Sequence, residues 1–269
     1  MSSDSPIRLE RDGGVAKLTL TRPEAANALN MPMAQALMRA AIELDEDESV
    51  RAVLLTGEGK MFCAGGDLGA MDEAGKAGKN GDGTSAYLKE LTTHLHAAIS
   101  RFARMRAPVV TAVNGTAAGA GFSMMCATDM AIASETAKFT MAYTGAGLSP
   151  DGSSTYFLPR IIGQRRTFEL MLTNRVLNSA EALEWGLVNQ VVPAEELMST
   201  AEDLVQHLAS GPTGSYDIVK RLLLNSAYDS LESQMEHEAR GISASSKTAD
   251  GREGIAAFLA KRRPVFNGN

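Results

Sequence analysis

A unit that occurs twice constrains the fold of this chain more than any other feature: an apolar run, a glycine turn, then a helix. Val53-Leu54-Leu55 reads as a buried strand and leads into Lys60-Met61-Phe62-Cys63-Ala64-Gly65-Gly66-Asp67-Leu68. Val109-Val110-Thr111-Ala112-Val113 leads in the same way into Asn114-Gly115-Thr116-Ala117-Ala118-Gly119-Ala120-Gly121-Phe122. Glycine lets the backbone turn at little steric cost. A turn of this kind can aim peptide N–H groups at an anion, as a helix N-terminus does. The two turns are expected to face each other across one negatively charged oxygen. A third strand follows at Asp129-Met130-Ala131-Ile132-Ala133, and Phe139 to Ala142 reads as a further short one. Strands alternating with helices imply βαβ units, a mainly parallel sheet and an α/β fold class.

The flanking segments fit that plan. Ile7 to Glu10 and Val15 to Leu20 alternate on either side of Asp12-Gly13-Gly14, which predicts a hairpin. Pro32 suits a first helical turn, and Met33, Leu37, Ala41 and Leu44 continue at helical spacing. Leu88, Leu91, Leu95, Ile99 and Phe102 mark a long helix that Pro108 ends. Between these, Gly69 to Ser85 holds Gly75, Gly78, Gly81 and Gly83 among charged residues. It is expected to be a mobile loop, serving either as a flap over the first glycine turn or as a tolerated surface insertion. Ser153 onward is predicted helical, as is the segment around Phe168 to Leu172. Ser179 is the expected cap of the helix ending at Gly186. Leu187 to Val192 is a short strand that Pro193 closes. Everything after Pro193 reads as helix, so residues 1–193 form an α/β core and residues 194–269 a helical region.

Bulk properties exclude several classes. With 269 residues the chain suits one large domain or a domain with an appendage. Its 44% hydrophobic and 22% charged residues are those of a water-soluble globular protein. A net charge of −6 leaves no electrostatic footprint for nucleic acid. No apolar run is long enough to span a membrane, and Met1 to Pro6 lacks the regions of a signal peptide. Two cysteines, Cys63 and Cys126, form no disulfide framework, which fits a cytoplasmic location.

Familiar catalytic motifs are missing. The glycine turns have neither the Lys-Ser or Lys-Thr pair of a phosphate loop nor the spacing of a dinucleotide fingerprint. Gly121-Phe122-Ser123 lacks the second glycine of a nucleophile elbow. His94 and His96 lie two apart on a helix, so they point to different faces and read as solvated rather than as metal ligands. Backbone donors and carboxylates remain. Two glycine turns can form an oxyanion hole, each donor contributing about 3–4 kcal/mol to a transition state. Such a hole suits the enolate of a thioester and needs only a base that moves a proton. The plainer role of these glycines is close helix–sheet packing.

Three motifs in order carry a resemblance. They are Arg22-Pro23 with Asn27-Ala28-Leu29; Gly57 and Gly59 leading to Phe62-Cys63-Ala64-Gly65-Gly66-Asp67-Leu68; and Ala112-Val113-Asn114-Gly115 leading to Gly119-Ala120-Gly121. Together they resemble the crotonase family, the enoyl-CoA hydratase/isomerase superfamily. Gly147 to Gly152, Leu158 to Gly163, Leu172-Thr173, Ala180-Glu181-Ala182 and Gly186-Leu187-Val188 extend the likeness over nearly the whole chain. The resemblance implies a spiral of ββα turns and a C-terminal helical region that builds trimers, often paired into hexamers. It implies an acyl-CoA thioester whose carbonyl oxygen accepts the N–H groups of Gly66 and Ala120, with no cofactor besides the CoA of the substrate. It implies an adenine pocket near Glu24, Ala25 and Ala26 and near Ala64, Gly65, Asp67 and Leu68, with Gly119 beside the second donor. Phe258 and Lys261 match positions that reach a CoA, commonly a neighbouring subunit's. Read alone, Phe258 is a core residue and Lys261 a solvated helix end.

Departures from the family are more informative. Members that hydrate enoyl-CoA position water with two glutamates, and Ser123 and Tyr143 stand at those positions. Neither can be a carboxylate base. Asp151, in Pro150-Asp151-Gly152, is the remaining carboxylate at a matching catalytic position, where isomerases of the family carry an acid. One carboxylate beside an apolar chain can remove a proton and return it. Moving a double bond needs one shuttle, whereas adding water needs a second group. The alternative role of Asp151 is a turn residue or helix cap. Tyr143 is expected to line the acyl pocket. Asp67 is expected to cap the following helix, and Met124, Met125 and Met141 to fill the core. The implied activity is acyl-CoA isomerisation, with weak hydration, ring isomerisation of an epoxyphenylacetyl-CoA, or binding without turnover as alternatives.

Overall fold

Alternation around Asp12-Gly13-Gly14 closes the first hairpin, with Gly13 at φ +56 in the left-handed region. Strands β1 (Ile7–Asp12) and β2 (Val15–Leu20) pair antiparallel from Ile7 opposite Leu20 to Asp12 opposite Val15. The computed structural model describes residues 5–78 and 81–269. The remaining strands are β3 (Ala52–Gly57), β4 (Met61–Cys63), β5 (Val109–Val113), β6 (Thr116–Ala118), β7 (Met130–Ser134), β8 (Lys138–Thr140), β9 (Leu177–Asn178) and β10 (Gln190–Val192). They form two sheets, in the order β1-β2-β3-β5-β7-β10 and β4-β6-β8-β9. Apart from the first hairpin and the β8–β9 pair, the strands run parallel.

The repeat thus contains one more strand than residue pattern alone predicts. A long strand of the first sheet is followed by a three-residue strand of the second, and then by a helix. This gives β3–β4 followed by α2 (Leu68–Ala77), and β5–β6 followed by α4 (Gly119–Cys126). β7–β8 begins a third turn, which reaches α5 (Ser154–Ile162) after a loop. The architecture is the ββα spiral expected from the resemblance. α1 (Met31–Glu46) and α3 (Gly83–Arg104) pack on it, with α6 (Gln164–Thr173) and α7 (Ser179–Glu184) beyond α5.

Parallel strands buried on both faces read as continuous apolar runs, because successive side chains point to opposite sides. In β3 and β5, Val53, Leu55, Val109 and Val113 face a core shared with the second sheet. Leu54, Val110 and Ala112 face the other way, against Leu197, Ala201 and Val205 of α8 (Leu197–Ala209). The chain ends in α9 (Thr213–Asn225), α10 (Leu231–Ser246) and α11 (Ala249–Leu259). Lys220 of α9 is buried, pairs with Asp129 at 2.7 Å and donates to the carbonyls of Phe102 and Ala107 at 3.2 and 3.0 Å. That contact pins α9 to the spiral.

Two expectations are corrected. Residues 69–77 of the expected loop are helical, and Gly83 already opens α3; Lys79 and Asn80 lie outside the described residues. Asp67 caps α2 by accepting Ala70 N–H at 3.1 Å, and Met71 anchors it in the core, which together outweigh Gly69 and Gly75. At the other site, the cap of α7 is Asn178 rather than Ser179. Asn178 accepts Glu181 N–H at 2.9 Å, and Glu181 returns the contact in a capping box. Ser179 instead donates to the Glu135 carbonyl at 2.6 Å.

Candidate active site

The glycine turns touch. Gly65, at φ +93, lies so close to the second turn that a side-chain carbon there would sit 2.9 Å from the Ala118 carbonyl oxygen and 3.3 Å from Gly119 Cα. Gly119 is itself at φ +49, and a side-chain carbon on it would lie 3.6 Å from Gly65 Cα. At Gly65 only glycine fits both the backbone angle and the close approach without strain, whereas at Gly119 the backbone angle alone favours it. The first turn is held from behind. Leu29 N–H donates to the Gly65 carbonyl at 2.7 Å and Asp67 N–H to the Leu29 carbonyl at 3.0 Å. Arg22 spans the base of the first turn, donating to the Ala28 carbonyl at 2.6 Å and pairing with Asp67 at 3.2 Å.

Gly66 follows one contact residue and Ala120 follows the other. Among the described residues, no protein acceptor takes the N–H of either. For Ala120 the reason is its place in the first turn of α4, where N–H groups have no intrahelical partner. Both residues line a cleft of about 630 Å³. Ala64, Gly65, Leu68, Gly119, Tyr143 and Asp151 line it too, opposite Leu88, Leu91 and Thr92 of α3.

Asp151 sits in a loop whose backbone is set by left-handed residues: Ala142 at φ +55, Gly147 at +71, Gly152 at +62 and Ser153 at +68. Its main chain, not its side chain, serves the start of α5. The Asp151 carbonyl accepts Ser154 N–H at 3.3 Å and the Ser154 hydroxyl at 2.9 Å. The carboxylate is left for the cleft, so the helix-cap alternative does not hold. Tyr143 donates its hydroxyl to Asp151 Oδ1 at 2.6 Å. Ser123 Oγ, fully buried, lies 2.9 Å from the Tyr143 hydroxyl and 3.1 Å from the Gly119 carbonyl. Burial, and then the adjacent Asp151 charge, push the Tyr143 phenol well above the ordinary tyrosine range, so it stays a neutral donor. Gly152 packs its backbone onto Ser123, and Gly152 N–H donates to His96 Nε2 at 3.2 Å.

The structure brings together Gly65, Gly66, Gly119, Ala120, Tyr143 and Asp151. It also binds Ser123, read from sequence as a lost carboxylate, into the same cluster. His96 is exposed, as expected, but its role in holding the Asp151 loop has no counterpart in sequence spacing. Glu24, Ala25 and Ala26 adjoin the cleft rather than line it: they form a short turn whose Ala26 carbonyl accepts Ala64 N–H at 3.0 Å. Asp67 is a cap, as expected. Met124, Met125 and Met141 are buried core residues outside the cleft lining. Lys261 is exposed, and Phe258 is 84% exposed, not the core residue that it is when read alone; both stand outside the cleft.

Residues 10–269 match the sequence model of the enoyl-CoA hydratase/isomerase family. The chain belongs to that family. It is 38% identical to a 1,2-epoxyphenylacetyl-CoA isomerase of Escherichia coli K12, over 95% of each chain. It is 36% identical to a 4-chlorobenzoyl coenzyme A dehalogenase of an Arthrobacter species, over 97% of this chain and 92% of the relative. A crystal structure of an enoyl-CoA hydratase from Bacillus anthracis superposes with a TM-score of 0.89 at 30% identity, covering 98% of this chain and all of that one. Relatives of one fold therefore carry isomerase, dehalogenase and hydratase names. Within the enoyl-CoA hydratase/isomerase family, identity at this level does not select the reaction, and the side chains around Asp151 become the informative part.

Proposed function

We propose that this protein is an acyl-CoA isomerase that moves a double bond along an enoyl-CoA thioester. Gly66 and Ala120 donate their N–H groups to the thioester carbonyl oxygen and stabilise the enolate. Asp151 removes a proton beside the carbonyl and returns it farther along the chain. The observation that carries this reading is that Asp151 is the one carboxylate lining the cleft among the described residues, with Ser123 and Tyr143 where hydrating members carry their two glutamates. Coenzyme A runs past Ala64 to Leu68 and the Glu24 to Ala26 turn, and no further cofactor takes part. The α/β core of residues 1–193 holds this chemistry, and residues 194–269 serve assembly. Exposed apolar residues there support self-association into trimers or hexamers: Leu231, Met235 and Ile242 on α10, and Phe258 and Leu259 on α11. In such an assembly Phe258 and Lys261 of one copy reach the CoA of another.

A ring-bearing acyl group is the second reading. It is favoured by the names of the two relatives above, which both describe acyl-CoA substrates that carry a six-membered ring.

Assays of wild type and Asp151→Asn with 3-enoyl-CoA and 2-enoyl-CoA test the proposal. The expected result is 3-enoyl-CoA isomerisation that drops about 10²–10⁴-fold in the variant. Isomerisation that survives the substitution would sink it. Strong hydration of 2-enoyl-CoA would favour a hydratase, and CoA-ester binding without turnover a binding protein.

A further inference from the structure

We propose that Tyr143 is a positioning residue for the proton transfer. Its hydroxyl ties down Oδ1 of Asp151, so that Oδ2 alone exchanges the proton with the acyl chain. The inference rests on the reading of Asp151 as the acid/base.

A hydrogen-bond account supports it. The Asp151 carbonyl is satisfied by Ser154 and Oδ1 by Tyr143, whereas Oδ2 accepts from no group among the described residues. Tyr143 cannot drift from this task. Its own N–H donates to the Met141 carbonyl at 2.6 Å, and its carbonyl accepts Ala146 and Leu148 N–H, both at 3.0 Å. Its ring stands against the second glycine turn: a side-chain carbon on Gly119 would lie 3.9 Å from Tyr143 Cζ. One residue therefore touches both the acid and the turn that carries Ala120.

The chain of hydroxyls has a direction and an end. Tyr143 has one hydrogen, and the carboxylate can only accept it. Ser123 then offers its own hydrogen to the Tyr143 oxygen or to the Gly119 carbonyl, which shares a peptide unit with the Ala120 N–H. Ser123 is fully buried, so this path leads to a main-chain carbonyl and not to solvent. No proton is relayed through it. With 3-enoyl-CoA, the C2–H bond breaks, its proton goes to Oδ2, and the electron pair passes into a dienolate whose oxygen carries the negative charge. The Oδ2–H bond then breaks, the proton adds at C4, the carbonyl re-forms, and the double bond lies between C2 and C3. Tyr143 keeps its proton throughout. The proton returned is then largely the one removed.

The test uses Tyr143→Phe with trans-3-hexenoyl-CoA in D₂O. The expected result is a kcat at least tenfold lower, KM within about threefold, and several times more solvent deuterium at C4, because a freed carboxylate turns and exchanges. A packing role alone would move KM or stability without moving the label. A substrate-free arm measures urea unfolding of Tyr143→Phe, Asp151→Asn and the double variant. Coupled side chains predict that the double variant loses less stability than the two singles combined. Wild-type kcat and labelling in Tyr143→Phe, or full additivity, would overturn the inference. If Asp151→Asn is inactive while Tyr143→Phe is fully active, the inference alone fails. If Asp151→Asn isomerises normally, the reading beneath it fails as well.

Discussion

The two glycine turns bring to the cleft Gly66 and Ala120, whose main-chain N–H groups have no acceptor among the described residues; the Tyr143 to Ser153 loop brings a phenol and a carboxylate. The turns are held mainly by backbone geometry, through the close approach of Gly65 to Ala118 and Gly119, with Arg22 bracing the base of the first. The loop holds its acid by side-chain hydrogen bonds laid over a strained backbone. The difference suggests a division of labour. A backbone cradle tolerates little change and, on the proposed reading, serves any reaction that builds charge on a thioester oxygen. A side-chain cluster can be exchanged residue by residue, and on this account it selects the reaction. Family members named as isomerase, dehalogenase and hydratase fit such a division.

Breaking the cradle has the largest expected effect. Gly65→Val puts a branched side chain at φ +93 against a backbone oxygen. It is expected to cost about 1–3 kcal/mol of stability in strain and about 10²–10³-fold in kcat through the displaced donor, read by urea unfolding and steady-state assays. Gly152→Ala probes the loop instead. Its added carbon would lie 2.8 Å from Ser123 Cβ at φ +62. A roughly tenfold loss of kcat is expected, since a shift of even 1 Å near the chemistry can cost up to 10²-fold, while calorimetry shows hexanoyl-CoA affinity retained. Loss of affinity in Gly152→Ala would blur the division between the two regions. Ser123→Ala removes the end of the hydroxyl chain and leaves the Tyr143–Asp151 contact. A few-fold fall in kcat is expected, of the order of the ~1 kcal/mol that one hydrogen bond contributes.

The smallest effect lies outside both regions and serves as a control. Two hydrogen bonds from Arg262, then one from Val265 N–H, lower the Glu253 carboxyl from 4.5 to about 2. A lowered carboxyl contributes stability that is fully present above its unfolded value near 4.5 and is lost as pH falls toward 2. Glu253→Gln is therefore expected to melt slightly below wild type at pH 6 and to match it near pH 2. Activity at pH 7 should not follow, because Glu253 ties the C-terminal tail to α11 and does not reach the cleft.

What could be read in advance follows the same split. The hairpin, α1, α3 and both glycine turns are local: their signals are alternation, capping and φ preference within a few residues. Of the second sheet only β8 was read, as Phe139 to Ala142; β4 and β6 escaped because they have three residues each, too few to display a period. A helix capped by Asp67 was expected, but the extent of α2 to Ala77 was hidden by its glycines, and the anchoring by Met71 was not read. Asn178 and Ser179 are both good caps, and only the fold decides between neighbours. The place of Asp151 beside the glycine turns was implied by the family resemblance, but its contact with Tyr143 was not. Tyr143 and Ser123 lie 8 and 20 residues apart from their respective acceptor and neighbour, and no local rule joins them.

The most direct measurement is a crystal structure with hexanoyl-CoA, a saturated thioester that cannot isomerise. The account predicts the carbonyl oxygen about 2.7–3.1 Å from both Gly66 N and Ala120 N. It also predicts Asp151 Oδ1 still on the Tyr143 hydroxyl and Oδ2 turned to the acyl chain. A thioester oxygen bound away from the glycine turns, or an acyl chain that never meets Asp151, would contradict it.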